Sequence, residues 1–303
     1  MSKKKILIGS RGSILAMAQT EIVKDMLSKK FPQYDFEIKV IVTTGDKDMR
    51  TNWGDKTLSL KSFFTKEIEK ELLEKDIDLA VHSMKDMPAV SPEGLICGAI
   101  PAREDNRDVF VSKSGKKLSE LPENPIIGTS SLRRAVSVKD LRPDAQIKPI
   151  RGNIHTRLKK LEEENFDGIV LAAAGLLRVG LGDRITQYFS VEEIMAAPAQ
   201  GALCVQCREN DKEILDMLSE IADSDVTETV AVEREFSKIF DGGCHTPMGC
   251  SAFIDKENDE IVIKGIYFDG EKLYKESHRG KREKGTLLAV ELAEKIRGKI
   301  NEK

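Results

Sequence analysis

Short apolar runs alternate with amphipathic stretches along most of the chain, a pattern that predicts an α/β protein. Residues 5–8 read as a buried strand. Gly9-Ser10-Arg11-Gly12-Ser13 then turns the chain into a helix to about residue 30, with Leu15, Ala18, Ile22, Met26 and Leu27 on its apolar face. Residues 36–42 predict a second strand, 62–74 a helix and 79–81 a third strand. The pattern restarts at Pro125. Ile127-Gly128-Thr129 echoes Ile8-Gly9-Ser10 and again leads through serine into a helix. Strands over 145–150, 168–172 and 202–207 follow, then helices over 211–222 and 227–240. Beyond them, 251–255, 260–268 and 272–278 alternate apolar and polar, as one-sided antiparallel strands do. An amphipathic helix over 285–300 ends the pattern. The expectation is two similar α/β lobes, residues 1–101 with 198–220 and residues 106–195, and a small α+β domain over 224–303.

Composition changes the picture in one respect. A net charge of -3 argues against bulk nucleic-acid binding, and the nine-residue apolar run 169–177 is too short to span a membrane. The three-residue apolar stretch after the basic start is too short for a signal peptide, so a cytoplasmic protein is expected. Arginine, however, is concentrated: nine of the 16 lie between Arg103 and Arg184, against seven of the 32 lysines. Arginine grips carboxylates and phosphates through a planar fork. Its clustering in a nearly neutral chain suggests a small polyanionic ligand.

The strand ends carry the candidate chemistry, since open α/β sheets bind ligands there. Gly9 to Ser13 offers free amides at a helix start beside Arg11, a suitable anion site. Lys85 and Asp86 follow the strand at 79–81. In the second lobe Arg133, Arg134, Arg151 and Arg178 are expected to reach a common rim. Residues 44–61, polar and glycine-containing, read as a lid over a cleft. Five cysteines do not suggest a disulfide framework. Cys204 and Cys207 lie three apart on a strand, hence on opposite faces, which suits neither a redox pair nor zinc. No metal site is expected. Cys244 sits in a loop, Asp241-Gly242-Gly243-Cys244-His245-Thr246-Pro247, that stops a helix and can present a thiol.

Taken in order, Ile8-Gly9-Ser10-Arg11-Gly12-Ser13 with Gln19, Val81-His82-Ser83-Met84-Lys85-Asp86 with Pro88, Gly128-Thr129-Ser130-Ser131-Leu132-Arg133-Arg134, Arg151-Gly152-Asn153 with Thr156-Arg157-Leu158, Ala172-Ala173-Ala174-Gly175-Leu176 and Gly242-Gly243-Cys244 resemble the porphobilinogen deaminases (hydroxymethylbilane synthases) over nearly the whole chain. The resemblance implies two lobes like those of periplasmic binding proteins, joined by crossover segments, plus the small third domain. It implies a transferase that condenses four porphobilinogen molecules head to tail, with loss of ammonia, and releases hydroxymethylbilane for tetrapyrrole and haem synthesis. A dipyrromethane cofactor would be attached through a thioether to Cys244. Asp86 would be the catalytic carboxylate. Lys85, Asp86, Ser131, Arg133 and Arg134 would hold the cofactor, and Arg11, Ser13, Gln19, Lys61, Phe64, Arg151, Asn153, Arg157 and Arg178 the substrate. The partners implied are porphobilinogen alone, with neither nucleic acid nor membrane, on a monomer.

Three departures from the family pattern stand out, one of them Pro101, where some relatives have cysteine. Leu58-Ser59-Leu60 replaces a usual glycine pair in a lid about two residues longer, and Ala199 replaces a glycine in the Pro-x-Gln-Gly loop. Two other readings compete. A non-enzymatic two-lobed anion-binding protein explains the arginines but gives Asp86 and Cys244 no role. A cysteine hydrolase would need a histidine near the thiol, and His245 is adjacent in sequence, where side chains normally diverge.

Overall fold

The computed structural model describes residues 3–43, 65–88, 90–240 and 246–302. The expected lid (44–61), Lys61, Phe64 and Cys244 lie outside the described residues. In chain order the main elements are β1 (Lys4–Arg11), α1 (Ile14–Lys30), β2 (Tyr34–Ile41), α2 (Lys66–Leu73), β3 (Leu79–Ser83), β4 (Leu95–Ala99), β5 (Asp108–Ser112), β6 (Ile126–Gly128), α3 (Leu132–Leu141), β7 (Gln146–Lys148), α4 (Ile154–Glu163), β8 (Gly168–Ala172), α5 (Ala173–Arg178), β9 (Gln187–Tyr188), β10 (Leu203–Arg208), α6 (Lys212–Ser219), α7 (Ser224–Ile239), β11 (Met248–Asp255), β12 (Glu260–Phe268), β13 (Leu273–Lys281) and α8 (Gly285–Asn301). The chain divides into two compact units. One comprises Met1–Arg103 and Ala202–Thr227, the other Glu104–Gly201 and Glu228–Lys303.

The first unit is a five-stranded sheet in the order β2-β1-β3-β10-β4. Strands β1, β2 and β3 run parallel, and β10 is antiparallel to both its neighbours. One face packs Ile6, Ile8, Leu79, Val81 and Val205 against Val23 and Leu27 of α1 and Ile214 and Leu218 of α6. The other face packs Ala80 with Ile68 and Leu72 of α2. Burial on both faces marks the central strands β3 and β10.

The second unit contains a sheet of matching plan, β7-β6-β8-β5-β9, with β6 parallel to β7 and β8 and with β5 antiparallel to β8. The correspondence is detailed. Asp78, entering β3, accepts the Leu7 N–H at 2.8 Å, and Asp167, entering β8, accepts the Ile126 N–H at 2.7 Å. Gly9 pairs with Ala80, and Gly128 with Ile169. A Cβ on Gly9 would lie 2.3 Å from Ile77 Cδ1, and one on Gly128 2.8 Å from Ile169 Cγ2. Close packing, not an unusual backbone angle, therefore requires both glycines. The echo between residues 8–10 and 127–129 is thus a repeat in space.

The same unit carries the antiparallel meander β11-β12-β13, covered by α7 and α8 around a core of Phe236, Ile261, Ile263, Leu288 and Leu292. The mixed α/β architecture with two similar sheets and a small C-terminal α+β layer is the one expected. Strands β4, β5 and β9 are additions to the sequence reading. They are short, and β5 begins on a charged residue, so no periodicity announces them. The strand expected over 145–150 shrinks to Gln146–Lys148.

Candidate active site

In the first unit the strand ends converge on a polar patch. β1 ends on Arg11, and Ser13 caps α1, its hydroxyl accepting the Ala16 N–H at 3.3 Å. Residues Met84–Asp86 form a single 3₁₀ turn directly after β3. Three contacts fix that turn. The Met84 N–H donates to Ala202 O at 3.0 Å, the Met87 N–H to Met84 O at 3.2 Å, and buried Gln19 donates from Nε2 to Ser83 Oγ at 2.8 Å. Gln19 thus braces the strand end. Asp86 is exposed at the end of the turn, and Lys85 beside it is half-buried. A carboxylate on a braced turn, open to solvent, is placed for proton transfer or for stabilising a cation.

In the second unit the arginines divide into two kinds. Arg133 and Arg134, at 5% and 7% exposure, turn inward to Asp108, which is fully buried at the start of β5. Arg133 Nη1 lies 2.6 Å from Asp108 Oδ2, and Arg134 Nη2 2.7 Å from Oδ1. Arg133 also donates to Met195 O, and Arg134 to Val170 O at 3.2 Å. Gln200 adds a hydrogen bond to Asp108 Oδ1 at 2.9 Å. Burial alone would push the Asp108 carboxyl upward. The two guanidinium groups outweigh it and hold that carboxyl well below the usual carboxylate range. Of the four arginines expected at a common rim, Arg151 is exposed and Arg178 half-buried, whereas Arg133 and Arg134 are buried against Asp108. The reason is physical: adjacent buried guanidiniums need a counter-charge, and Asp108 supplies it.

Arg157 is of the other kind. It is half-buried, its Nε donates to Gly152 O at 2.8 Å, and among the described residues no carboxylate pairs with it. Burial first, then the charge of Arg134, pushes its pKa down to about 10. An incoming carboxylate would relieve both penalties. Asn153 caps α4 through the Thr156 N–H at 2.9 Å, and Gly152 holds a left-handed φ of 119° that places its carbonyl for Arg157. Ser131 stands at the start of α3 without capping it, so its hydroxyl is not consumed by the helix. Arg178 ends α5, donates to Gly201 O at 2.6 Å, and has its pKa lowered chiefly by burial.

Sequence reasoning missed Asp108 and Gln200. The signal available was the Arg133-Arg134 pair itself, which at a buried helix start demands an acid. It also missed Glu233, a buried carboxylate on α7 that accepts the Ala199 N–H at 2.7 Å and the Ala252 N–H at 3.0 Å. Ala199 has a left-handed φ of 61°, the backbone a glycine would favour. Cys204 and Cys207 are buried in β10, and among the described residues no cluster suited to a metal is present. No described helix is long and apolar enough to cross a membrane.

The two units thus share one sheet plan within a mixed α/β protein, with an exposed carboxylate on a braced turn in the first and arginines near the strand ends in the second. The family profile described as porphobilinogen deaminase, dipyrromethane cofactor binding domain, matches residues 6–216, and the profile of the porphobilinogen deaminase C-terminal domain matches residues 227–301. The porphobilinogen deaminase of Fusobacterium nucleatum is 58% identical over 98% of this chain and 99% of its own length. That of Oceanobacillus iheyensis is 45% identical over 99% of this chain and 98% of its own. Among solved structures, the effector-binding domain of BenM with benzoate shows 14% identity and a TM-score of 0.44, covering 73% of this chain and 91% of that one. The chain belongs to the porphobilinogen deaminase family.

Proposed function

We propose that this enzyme condenses four porphobilinogen molecules head to tail, expelling one ammonia each time, and releases hydroxymethylbilane. The observation that carries the reading is Asp86, exposed on a turn anchored by Ala202 and Gln19 at the end of β3. Loss of ammonia breaks a C–N bond and leaves a cationic methylene-pyrrole. Asp86 stabilises that charge beside the pyrrole N–H, and takes the proton released when the new C–C bond forms. A single carboxylate performs both tasks.

A dipyrromethane carries an acetate and a propionate on each ring, and the donor set fits it. Arg157 has no acidic partner among the described residues, the Ser131 hydroxyl does not cap its helix, and Arg151 is exposed. Arg133 and Arg134, paired with Asp108, add positive charge to the cofactor site in this reading. When bound, the cofactor supplies the pyrrole α-carbon at which the chain of rings begins. We assign Cys244 as its thioether attachment. Lys85 and Asp86 are further cofactor contacts. Arg11, Ser13, Gln19, Lys61, Phe64, Asn153 and Arg178 complete the substrate site in this reading, in a cytoplasmic monomer.

The test is the intact mass of the purified protein. It should exceed the mass of the chain by two pyrrole units, and Cys244→Ser should carry no such excess and be inactive. A Cys244→Ser protein that still bears the adduct would place the attachment elsewhere.

A further inference from the structure

Beneath the Asp86 turn lies a buried polar chain with no part in the chemistry above. Gln206 of β10, fully buried, accepts at Oε1 from His82 Nε2 at 3.1 Å and donates from Nε2 to Glu69 Oε1 at 3.4 Å. The three side chains come from β3, β10 and α2. His82 and Gln206 share one sheet face, because Cys204 pairs with His82 and Gln206 with Ala80. Ala80, Ile68 and Leu72 pack on that face.

The fold does not require this arrangement. In the second unit the registers place Leu171 where β3 has His82, and Val111 where β10 has Gln206. Both are buried and pack with ordinary apolar neighbours. At these two positions the strand pair is therefore built without polar groups in the unit that has no acidic turn. A buried amide costs free energy unless both its ends are satisfied, and Gln206 satisfies both.

We propose that Gln206 is a positioning residue: bridging Glu69 to His82, it locks the imidazole and thereby the end of β3 that presents Lys85 and Asp86. The donor pattern fixes the tautomer. The Gln206 amide donates to Glu69 Oε1, so the Gln206 carbonyl, which only accepts, faces His82. His82 therefore carries its proton on Nε2 and leaves Nδ1 bare. It is also kept neutral. Burial first, and then the charge of Arg11, pushes the imidazole down to about 4, against the opposing effect of Gln206. A neutral imidazole adds no positive charge beneath a centre where a cation develops.

The inference rests on Asp86 as the reacting carboxylate, and its test separates the two. Gln206→Met removes both hydrogen bonds at similar volume. In the holoenzyme it should lower kcat by about tenfold, the effect of one net hydrogen bond, with KM changed less than about twofold. Nitrogen NMR of His82, assigned by loss of its signal in His82→Asn, should show protonated Nε2 in the wild type and mixed tautomers in Gln206→Met. A wild-type kcat in Gln206→Met, or a protonated Nδ1 in the wild type, would overturn the proposal. Should Gln206→Met fail to fold, the wild-type tautomer decides alone. An active Asp86→Asn enzyme would instead remove the Asp86 assignment, whatever Gln206 does.

Discussion

The two sheets have one plan and opposite chemistry. By strand register, the residue facing the end of the third parallel strand is Leu203 in the first unit, opposite Ser83, and Asp108 in the second, opposite Ala172. Seven residues beyond the start of β3 stands Asp86, and seven beyond the start of β8 stands Gly175. One unit therefore has its acid outside on the turn and leucine beneath. The other has its acid inside and, at the matching distance from the strand start, a glycine within α5. An exposed carboxylate can meet a cation or accept a proton. A buried one pairs with Arg133 and Arg134, and among the described residues no carboxylate pairs with Arg157. The repeat keeps the scaffold and moves one charge; in the proposed reading this divides the labour between reaction and charge holding.

Removing the inner acid should have the largest effect on the fold. Asp108→Ala leaves two guanidiniums buried without a counter-charge, a loss of about 3–5 kcal/mol measurable by urea unfolding. The folded Asp108 carboxyl titrates below its ordinary value, so its contribution is complete above the usual carboxylate range near about 4 and is lost as the pH falls below it. The acid limb of the wild-type stability curve should therefore flatten in the variant.

Arg157→Leu sharpens the contrast, because this arginine is half-buried and among the described residues no acid pairs with it. Its removal should leave Tm unchanged or raised. KM for porphobilinogen should rise about ten- to a hundredfold, the worth of a charge-assisted contact of about 1.5–3 kcal/mol. A lowered Tm with normal KM would make Arg157 structural, like Arg133.

Ala199→Gly tests the loop that carries Gln200 to Asp108. Relief of a left-handed alanine is worth about 1–2 kcal/mol, offset by the freedom glycine gains when unfolded. A net gain of about 0.5–1 kcal/mol is expected in thermal unfolding. A net loss would show that the buried Ala199 methyl matters more than the strain.

Much of this was legible beforehand, and the limits have physical causes. The glycine at each strand end, the serine before each helix and the lysine-aspartate turn are local signals, set by residues that touch in sequence. The pairing of Arg133 with Asp108 spans 25 residues, and nothing near Asp108 marks it as buried. Its strand, Asp-Val-Phe-Val-Ser, reads as a brief apolar run with a polar start. Gln206 was hidden for a similar reason, since its partners sit 124 and 137 residues away. Sequence showed where the charges were, and only packing showed which of them cancel.

The claim that the outer acid performs the reaction meets its most direct test in the saturation kinetics of Asp86→Asn. The substitution keeps the shape of an exposed side chain, so Tm should match the wild type. At saturating porphobilinogen kcat should fall by about 10²–10⁴-fold, with KM little changed. Wild-type turnover in Asp86→Asn would contradict the account and place the reacting carboxylate elsewhere.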